Sequence, residues 1–203
     1  MIGGLQALLW WGLARLGWSA VAAAPLVLSL SLILSGGLHH DGLMDTADGL
    51  AAGSDRCLEA MDDSRVGASG VLVLVLVVLI ELAALVQLGS QAAVALCLAG
   101  LWSRVAPLWA MARFPYLRSD GTAAFHRKHA RPGWDALPAL LAVLLLALLI
   151  PPQQLLVGAP VGWVVSEHLG RRLGGHTGDS YGAVLVWTEA ITLLLLAGLA
   201  AAS

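Results

Sequence analysis

Long apolar stretches constrain the fold of this chain more than any other feature. The runs VLVLVLVVLIELAALVQL and ALPALLAVLLLALLIPP contain one charged residue between them, and each is about as long as a helix that crosses the hydrocarbon core of a bilayer. Only 12% of the residues are charged and the mean hydropathy is +0.83, whereas a soluble domain carries about 25% charged residues. The sequence predicts an all-α fold, a polytopic integral membrane helical bundle that forms a single transmembrane domain over residues 1–203.

The apolar segments predict about six or seven transmembrane helices. We place them at 1–18, 20–35, 70–88, 91–111, 136–150, 154–169 and 182–201, of which the first and the sixth are the weakest. Two shorter helices, 38–51 and 54–64, are predicted within an acidic stretch at 36–66 that separates the second span from the third.

The charged residues gather on one side of this arrangement. Nine of the eleven lysine and arginine residues fall in the acidic stretch, in the loop 112–135 or in the loop 170–181. The alternation of the spans brings these three segments to the same side, and basic loops mark the cytoplasmic side of a membrane protein. We therefore expect a multi-pass protein of the cytoplasmic (inner) membrane with its functional site on the cytoplasmic face.

Three aspartates in the acidic stretch predict a metal site. Asp41, Asp45 and Asp48 are spaced i, i+4 and i+7, so on a helix they lie within about 60° of one another on one face. Like charges at this spacing destabilise a helix, and a hard divalent cation such as Mg²⁺ would offset their repulsion. The alternative is an acidic, solvated first turn, which the helix dipole favours. The register of three carboxylates favours metal binding.

Basic residues and a glycine-rich loop extend this pattern toward a pyrophosphate or phosphodiester substrate. Arginines and a lysine on the same face would bind the phosphate charge that a metal leaves unbalanced. The segment 174–179, GGHTGD, would offer backbone N–H groups to phosphate, with Asp179 as a further ligand or base. The same residues are common in ordinary turns, so this segment gains its weight from its predicted place beside the aspartates.

Three motifs together resemble one family of enzymes. GGLHHDGLMDTADGL, DRCLEAMDDSRVGASGV and GGHTGDSYGA resemble, in this order, the motifs of the cobalamin synthase family. The resemblance implies a membrane-bound transferase that requires Mg²⁺ and acts late in cobalamin biosynthesis. It would join adenosylcobinamide-GDP to α-ribazole or its 5′-phosphate and release GMP, through attack of a ribose hydroxyl on the pyrophosphate. It also implies a first span longer than the one that begins at Met1.

The motif positions and the basic residues around them give the expected site. The expected metal ligands are Asp41, Asp45 and Asp48, and the expected catalytic carboxylates are these three with Asp63 and Asp179. Which carboxylate acts as the base stays open. The expected substrate-binding residues are His39, Arg65, Arg104, Arg113, Lys128, Thr177 and Gly178. The basic run 127–131 suits guanylyl phosphates and anionic lipid headgroups equally.

Three ionisable residues lie within predicted spans, where such side chains usually face the interior of the bundle. Counting about 1.5 Å per residue from the cytoplasmic side places Arg104 and Glu189 at similar depth. We predict an ion pair between them that fixes the helices. Glu81 lies slightly deeper and is expected to face the same cavity.

Two other functions remain open at this point. A CDP-alcohol-type phosphotransferase also uses aspartates on membrane helices with Mg²⁺, although its signature has a longer gap and an Ala-Arg after the first Asp-Gly. A cation-coupled transporter would hold its ionisable residues near mid-membrane at a repeat interface, whereas this chain gathers most of them at one face. The expected partners are the two substrates and the lipid bilayer, without nucleic acid, and the formation of a homo-oligomer stays open.

Overall fold

The computed structural model describes residues 2–118 and 131–202. Within those ranges the chain forms eleven α-helices and two short 3₁₀ turns, and its β pairing is a single bridge between Tyr116 and His176. The all-α prediction is therefore confirmed. The helices are α1 Ile2–Arg15, α2 Ala20–Ser35, α3 Leu38–Ala51, α4 Cys57–Met61, α5 Ala68–Leu88, α6 Ala92–Arg113, α7 Pro132–Asp135, α8 Leu137–Leu146, α9 Pro152–Leu156, α10 Gly158–Leu173 and α11 Gly178–Ala201.

Within the described residues, fewer helices are long and apolar enough to span a membrane than the six or seven that the sequence predicts. Two helical stretches of the described chain, Ala68–Arg113 and Gly178–Ala201, are long and apolar enough to cross a membrane. A third exists only if α2 and α3 count as one span, and these two helices meet at an angle of 89°. The predicted count of six or seven spans is not confirmed, because α8 has only 10 residues and α1 only 14.

The stretch Ala68–Arg113 is a hairpin of two helices rather than one rod. Val77 of α5 and Ala106 of α6 share a hydrophobic cluster with the first half of α11. Leu85 and Leu96, which lie closer to the turn, pack in the cluster that contains the last part of α11. Because both helices follow α11 from one end to the other, α5 runs parallel to α11 and α6 runs antiparallel to it.

The charged segments meet at the end of the bundle where α11 begins. The chain after α6 lies against the chain before α11: the Leu117 N–H donates to the His176 carbonyl at 2.8 Å, and the His176 N–H donates to the Pro115 carbonyl at 2.9 Å. The acidic helix α3 reaches the same end, because Gly42 packs on the backbone of Asp179. The predicted gathering of the charged segments at one end is confirmed for the residues described. We call this the charged end.

Two glycines allow α3 to lie directly on α11. A Cβ atom added to Gly42 would lie 2.7 Å from the Asp179 carbonyl oxygen and 2.8 Å from its Cα. One turn further along α11, a Cβ atom on Gly182 would lie 3.1 Å from the His39 carbonyl oxygen. Since a real Cβ atom does not approach backbone this closely, only glycine lets these two backbones come together. This contact places the aspartates of α3 beside Asp179.

Candidate active site

A single arginine joins two of the acidic motifs. The Arg118 side chain is 22% exposed, and its Nη1 donates to Asp179 Oδ2 at 2.8 Å. Its Nη2 lies 2.8 Å from Asp62 Oδ1. Asp62 belongs to the turn after α4, whereas Asp179 lies in the first turn of α11. The guanidinium therefore holds together two segments that are far apart in sequence. We call Asp41, Asp45, Asp62, Asp179 and Arg118 the aspartate cluster.

Asp45 lies among more negative charge than this one arginine offsets. Helix α3 does not qualify as a membrane span on its own, and the Asp45 side chain is half-buried at the charged end. Burial, together with the neighbouring carboxylates of Asp41, Asp179 and Asp48, raises the pKa of Asp45 to about 6, although Arg118 acts in the opposite direction. Carboxylates that repel one another in this way are expected at a site that binds a cation.

Asp48, the third of the predicted metal-binding aspartates, has hydrogen-bond partners within the fold. The two carboxylate oxygens of Asp48 accept the backbone N–H groups of Gly67 and Gly70, each at 2.8 Å. They thereby cap the start of α5, whose first N–H groups have no partner within the helix. Added Cβ atoms on Gly67 or Gly70 would collide with this carboxylate. Asp48 thus anchors α3 to α5, while each oxygen keeps a lone pair for a further interaction.

The donor set of the aspartate cluster suits a magnesium ion. Within residues 2–118 and 131–202, no three His, Cys, Asp or Glu side chains already converge on one point as a finished metal centre does. The cluster nevertheless presents hard carboxylate oxygens from Asp41, Asp45 and Asp179, the ligand type that Mg²⁺ prefers. Besides burial, the neighbouring carboxylates raise the pKa of Asp45, and a divalent cation would offset their negative charge. The residues present therefore fit Mg²⁺, whose binding stays a prediction.

The glycine-rich segment before α11 is organised by buried polar contacts. Thr177 is the N-cap residue of α11, and it forms a reciprocal capping box with Ser180. His176 is fully buried, with Nδ1 3.0 Å from Ser180 Oγ and Nε2 3.2 Å from the Ser166 carbonyl. Burial lowers the pKa of His176 to about 4, so this ring is neutral at pH 7. The side chain of Thr177 is used within the fold, which leaves Gly178 and the helix N-terminus facing the cluster.

Several predicted site residues lie at the edge of the charged end. Asp63 is paired with Arg65 at 2.6 Å on the surface, and this hydrogen-bonded pairing lowers the pKa of Asp63 to about 2. The neighbouring Asp62, rather than Asp63, reaches Arg118. Arg113 lies 3.3 Å from Glu167 of α10. Lys128 lies outside the described residues.

A second group of ionisable residues lines a cavity inside the bundle. Arg104 Nη1 lies 2.9 Å from Glu189 Oε2, which confirms the predicted ion pair. Glu81 lines the same cavity, as the sequence predicted. His39 and His40, on the first turn of α3, also belong to its polar lining. Burial lowers the pKa of both histidines. The cavity has a volume of about 150 Å³, and we call it the bundle cavity.

Sequence reasoning missed the two residues that join the motifs. Arg118 was one of several basic residues on the charged side, and nothing in its local sequence separates it from its neighbours. Asp62 adjoins Asp63, and only the direction of the chain after α4 decides which of the two faces inward. Glu167, which pairs with both Arg113 and Arg171, was hidden by its place at the end of an apolar segment. A depth count like the one that paired Arg104 with Glu189 would have found it.

Comparison with known proteins gives a consistent result. The sequence profile of the family described as "Cobalamin-5-phosphate synthase" matches residues 1–197. An adenosylcobinamide-GDP ribazoletransferase of Prochlorococcus marinus (strain MIT 9303) is 58% identical over 97% of this chain and 82% of its own length. Proteins of the same name from Thermosynechococcus vestitus and Trichormus variabilis are 45% and 37% identical, over 87% and 97% of this chain and 72% and 82% of their own lengths. No solved structure matches. The chain belongs to the cobalamin-5-phosphate synthase family.

Proposed function

We propose that this protein joins adenosylcobinamide-GDP to α-ribazole or α-ribazole 5′-phosphate, giving adenosylcobalamin or its 5′-phosphate and GMP. One observation supports the proposal most: Arg118 bridges Asp62 and Asp179, at 2.8 Å from each carboxylate. Asp45 lies close enough to Arg118 and Asp179 that their charges affect its pKa. The three motifs of the family therefore meet at one place, and that place combines carboxylates with a guanidinium, as pyrophosphate chemistry needs.

The reaction replaces one phosphorus–oxygen bond with another. A ribose hydroxyl oxygen of the acceptor bonds to the cobinamide-side phosphorus, and the bond from that phosphorus to the bridging oxygen breaks. GMP leaves with the bridging oxygen. The hydroxyl proton passes to a carboxylate of the aspartate cluster, which acts as the general base.

The residues of the cluster take distinct parts in this proposal. Asp41, Asp45 and Asp179 hold Mg²⁺, which when bound neutralises phosphate charge. Arg118 keeps Asp179 and Asp62 in place, and its guanidinium has N–H groups left to donate to phosphate oxygens. Asp48 holds α3, which carries Asp41 and Asp45, in place by accepting hydrogen bonds from the Gly67 and Gly70 N–H groups.

The proposal also gives the protein a place in the cell. Helices α5, α6 and α11 cross the cytoplasmic (inner) membrane, and α1, α2, α8 and the apolar first half of α10 lie in the bilayer beside them. The charged end faces the cytoplasm, because basic residues concentrate there. They include Arg56, Arg65, Arg113, Arg118, Arg171 and Arg172.

A product assay tests the reaction. The purified protein in nanodiscs would receive adenosylcobinamide-GDP, α-ribazole 5′-phosphate and Mg²⁺, and the corrinoid and nucleotide products would be separated by chromatography and identified by mass. We expect one GMP for each coupled corrinoid. If a CDP-activated lipid and an alcohol react instead, while adenosylcobinamide-GDP stays intact, the proposal is wrong.

A further inference from the structure

The bundle cavity contains polar groups that the fold leaves without partners. Glu81 is 5% exposed, and among the described residues no hydrogen bond or ion pair reaches its carboxyl group. Within residues 2–118 and 131–202, the buried Gln6 Oε1 and His40 Nδ1 also have no hydrogen-bond partner. All three side chains line the same cavity. Because unpaired buried polar groups are costly, this coincidence in one cavity indicates an occupant that supplies hydrogen bonds.

The walls of the cavity and its volume suit a planar base. Apart from its polar groups, the lining is apolar and includes Leu28, Val78 and Leu185, the combination typical of small-molecule sites. Its volume of about 150 Å³ equals that of an engineered cavity that binds benzene. The wall also includes the exposed Ser29, so the cavity is open on that side and a ring system larger than benzene fits.

The arrangement of donors and acceptors selects among the bases. The Glu81 carboxyl group has two oxygens side by side, and in its ionised form both accept, which suits two parallel N–H donors. Arg104, which also lines the cavity, donates to Ser103 and Glu189 through Nη1, and its other N–H groups have no acceptor among the described residues. Guanine has the complementary pattern, since it presents N–H donors beside its O6 acceptor. Adenine lacks this pair of donors, and hypoxanthine lacks the 2-amino group.

The cavity also lies within reach of the aspartate cluster. His39 and His40 line it, and Asp41 follows them on α3. Along α11, Asp179 and Glu189, the partner of Arg104, are separated by ten residues, about 15 Å of helix. A ribose and its phosphates bridge such a distance. A nucleotide would then hold its base in the bundle cavity and its phosphates at the cluster.

From these contacts we infer that the bundle cavity is a guanine-binding site, in which Glu81 accepts from N1–H and the 2-amino group and Arg104 donates to O6. The inference rests on the proposed function, which provides a guanosine nucleotide as part of one substrate. It explains why Glu81 has no hydrogen-bond or ion-pair partner among the described residues while Arg104 and Glu189 have each other. It assigns Glu81 a part in choosing the nucleotide, separate from the chemistry at the aspartates.

Nucleotide binding to the full chain in nanodiscs tests the inference. Dissociation constants of GMP, IMP and AMP would be measured by calorimetry with Mg²⁺ present. GMP should bind about 10- to 100-fold more tightly than IMP or AMP, because the loss of one hydrogen bond to a charged group leaves that group unpaired. Equal binding of the three nucleotides to the wild-type protein would overturn the inference without any mutant.

Glu81→Gln, which keeps the side-chain shape, sharpens the test. It should weaken GMP binding to the level of IMP and change IMP binding little. Glu59→Gln, on the exposed helix α4, is the matched control and should keep the preference for GMP. A GMP preference that survives Glu81→Gln in a protein with an unchanged melting temperature would contradict the assignment.

The failure of this inference can be told from a failure of the proposed function. Asp45→Asn should abolish turnover and keep the preference for GMP over IMP. Turnover without nucleotide preference leaves the function standing and removes the guanine site. A preference for GMP without turnover of adenosylcobinamide-GDP leaves the site standing and removes the function.

Discussion

The aspartate cluster and the bundle cavity use the same kinds of residue for different purposes. Each combines carboxylates with one arginine: Arg118 with Asp62 and Asp179 in the cluster, and Arg104 with Glu189 in the cavity. The cluster has more carboxylates than its arginine can neutralise, and Asp62 is 66% exposed. In the cavity the Glu189 side chain is 8% exposed, and the surrounding walls are apolar.

The difference shows how burial decides what a carboxylate can do. Partly exposed carboxylates in excess attract a hydrated divalent cation and, through it, phosphate. Deeply buried carboxylates must be paired or hydrogen-bonded, because desolvation of an unpaired charge is costly. The cluster is therefore suited to charged groups, and the cavity to an uncharged polar base. Four predictions test this division, beginning with the largest effect.

Loss of one charge in the cluster should nearly abolish activity. Asp179→Asn removes a carboxylate that pairs with Arg118 at 2.8 Å, and we expect a fall in kcat of about 10³-fold, the size seen when one charge-stabilising group is removed from an active site. GMP release in nanodiscs provides the measurement. Asp55→Asn, in the acidic stretch 36–66 and exposed, with a carboxylate that accepts from the adjacent Ser54 hydroxyl, is the control. If the two variants had similar activities, turnover would not depend on the negative charge of the aspartate cluster in particular.

Replacement of Arg104 in the bundle cavity should lower the free energy of unfolding. Arg104→Met leaves Glu189 buried without its partner, and we expect a loss of about 3 kcal/mol in the free energy of unfolding, as for other broken buried pairs. Arg56→Met removes an exposed pair with Glu59 and should cost less than about 1 kcal/mol. Denaturant or thermal unfolding in detergent measures both. Equal effects would mean that the cavity pair is as weak as a surface pair.

Contact between α3 and α11 should control activity through geometry. Gly42→Ala places a methyl group against the Asp179 backbone. This group must push α3, with Asp41 and Asp45, away from α11. A displacement of about 1 Å costs roughly 10²-fold in rate. Gly12→Ala is the matched control, since a Cβ atom there meets nothing within 4 Å. If Gly42→Ala turns over at the rate of Gly12→Ala, the two helices do not position the site.

The pH dependence of stability should report the buried His176. Its pKa is about 4 in the folded protein and about 6.5 when unfolded, so between these values the unfolded state binds more protons. The contribution of His176 to the free energy of unfolding is therefore fully present above pH 6.5. It falls as the pH drops, by about 2 kcal/mol at pH 5. His176→Gln should flatten this part of the melting-temperature profile, whereas His168→Gln, at an exposed position, should not. An unchanged profile in His176→Gln would contradict the assignment.

Local features of the sequence were enough to predict helices and depth. The bounds of α2 and α3 agree with the prediction, because Gly36 and Gly37, both with positive φ, interrupt the helix between them. Arg104 and Glu189 were paired correctly because rise per residue is a constant of the helix. The span count is not confirmed where apolar composition continues past the end of the helix, as in α8, which ends at Leu146.

Pairing between the segments outside the long helices was not predictable from one sequence. Arg118 reaches Asp179 because the segment after α6 pairs with the segment before α11 through Leu117 and His176, and neither segment signals the other. Asp48 was assigned to metal on helical spacing alone, which says nothing of the Gly67 and Gly70 N–H groups that approach it. The metal assignment itself stays a prediction.

The metal dependence of turnover tests the central claim most directly. GMP release from adenosylcobinamide-GDP and α-ribazole 5′-phosphate would be followed in nanodiscs over a Mg²⁺ titration, for the wild-type protein and for Asp45→Asn. We predict no turnover without the metal, saturation with the wild type, and a folded Asp45→Asn protein that is inactive at every Mg²⁺ concentration. Turnover in the presence of a chelator, or full activity of Asp45→Asn, would contradict the account of the aspartate cluster.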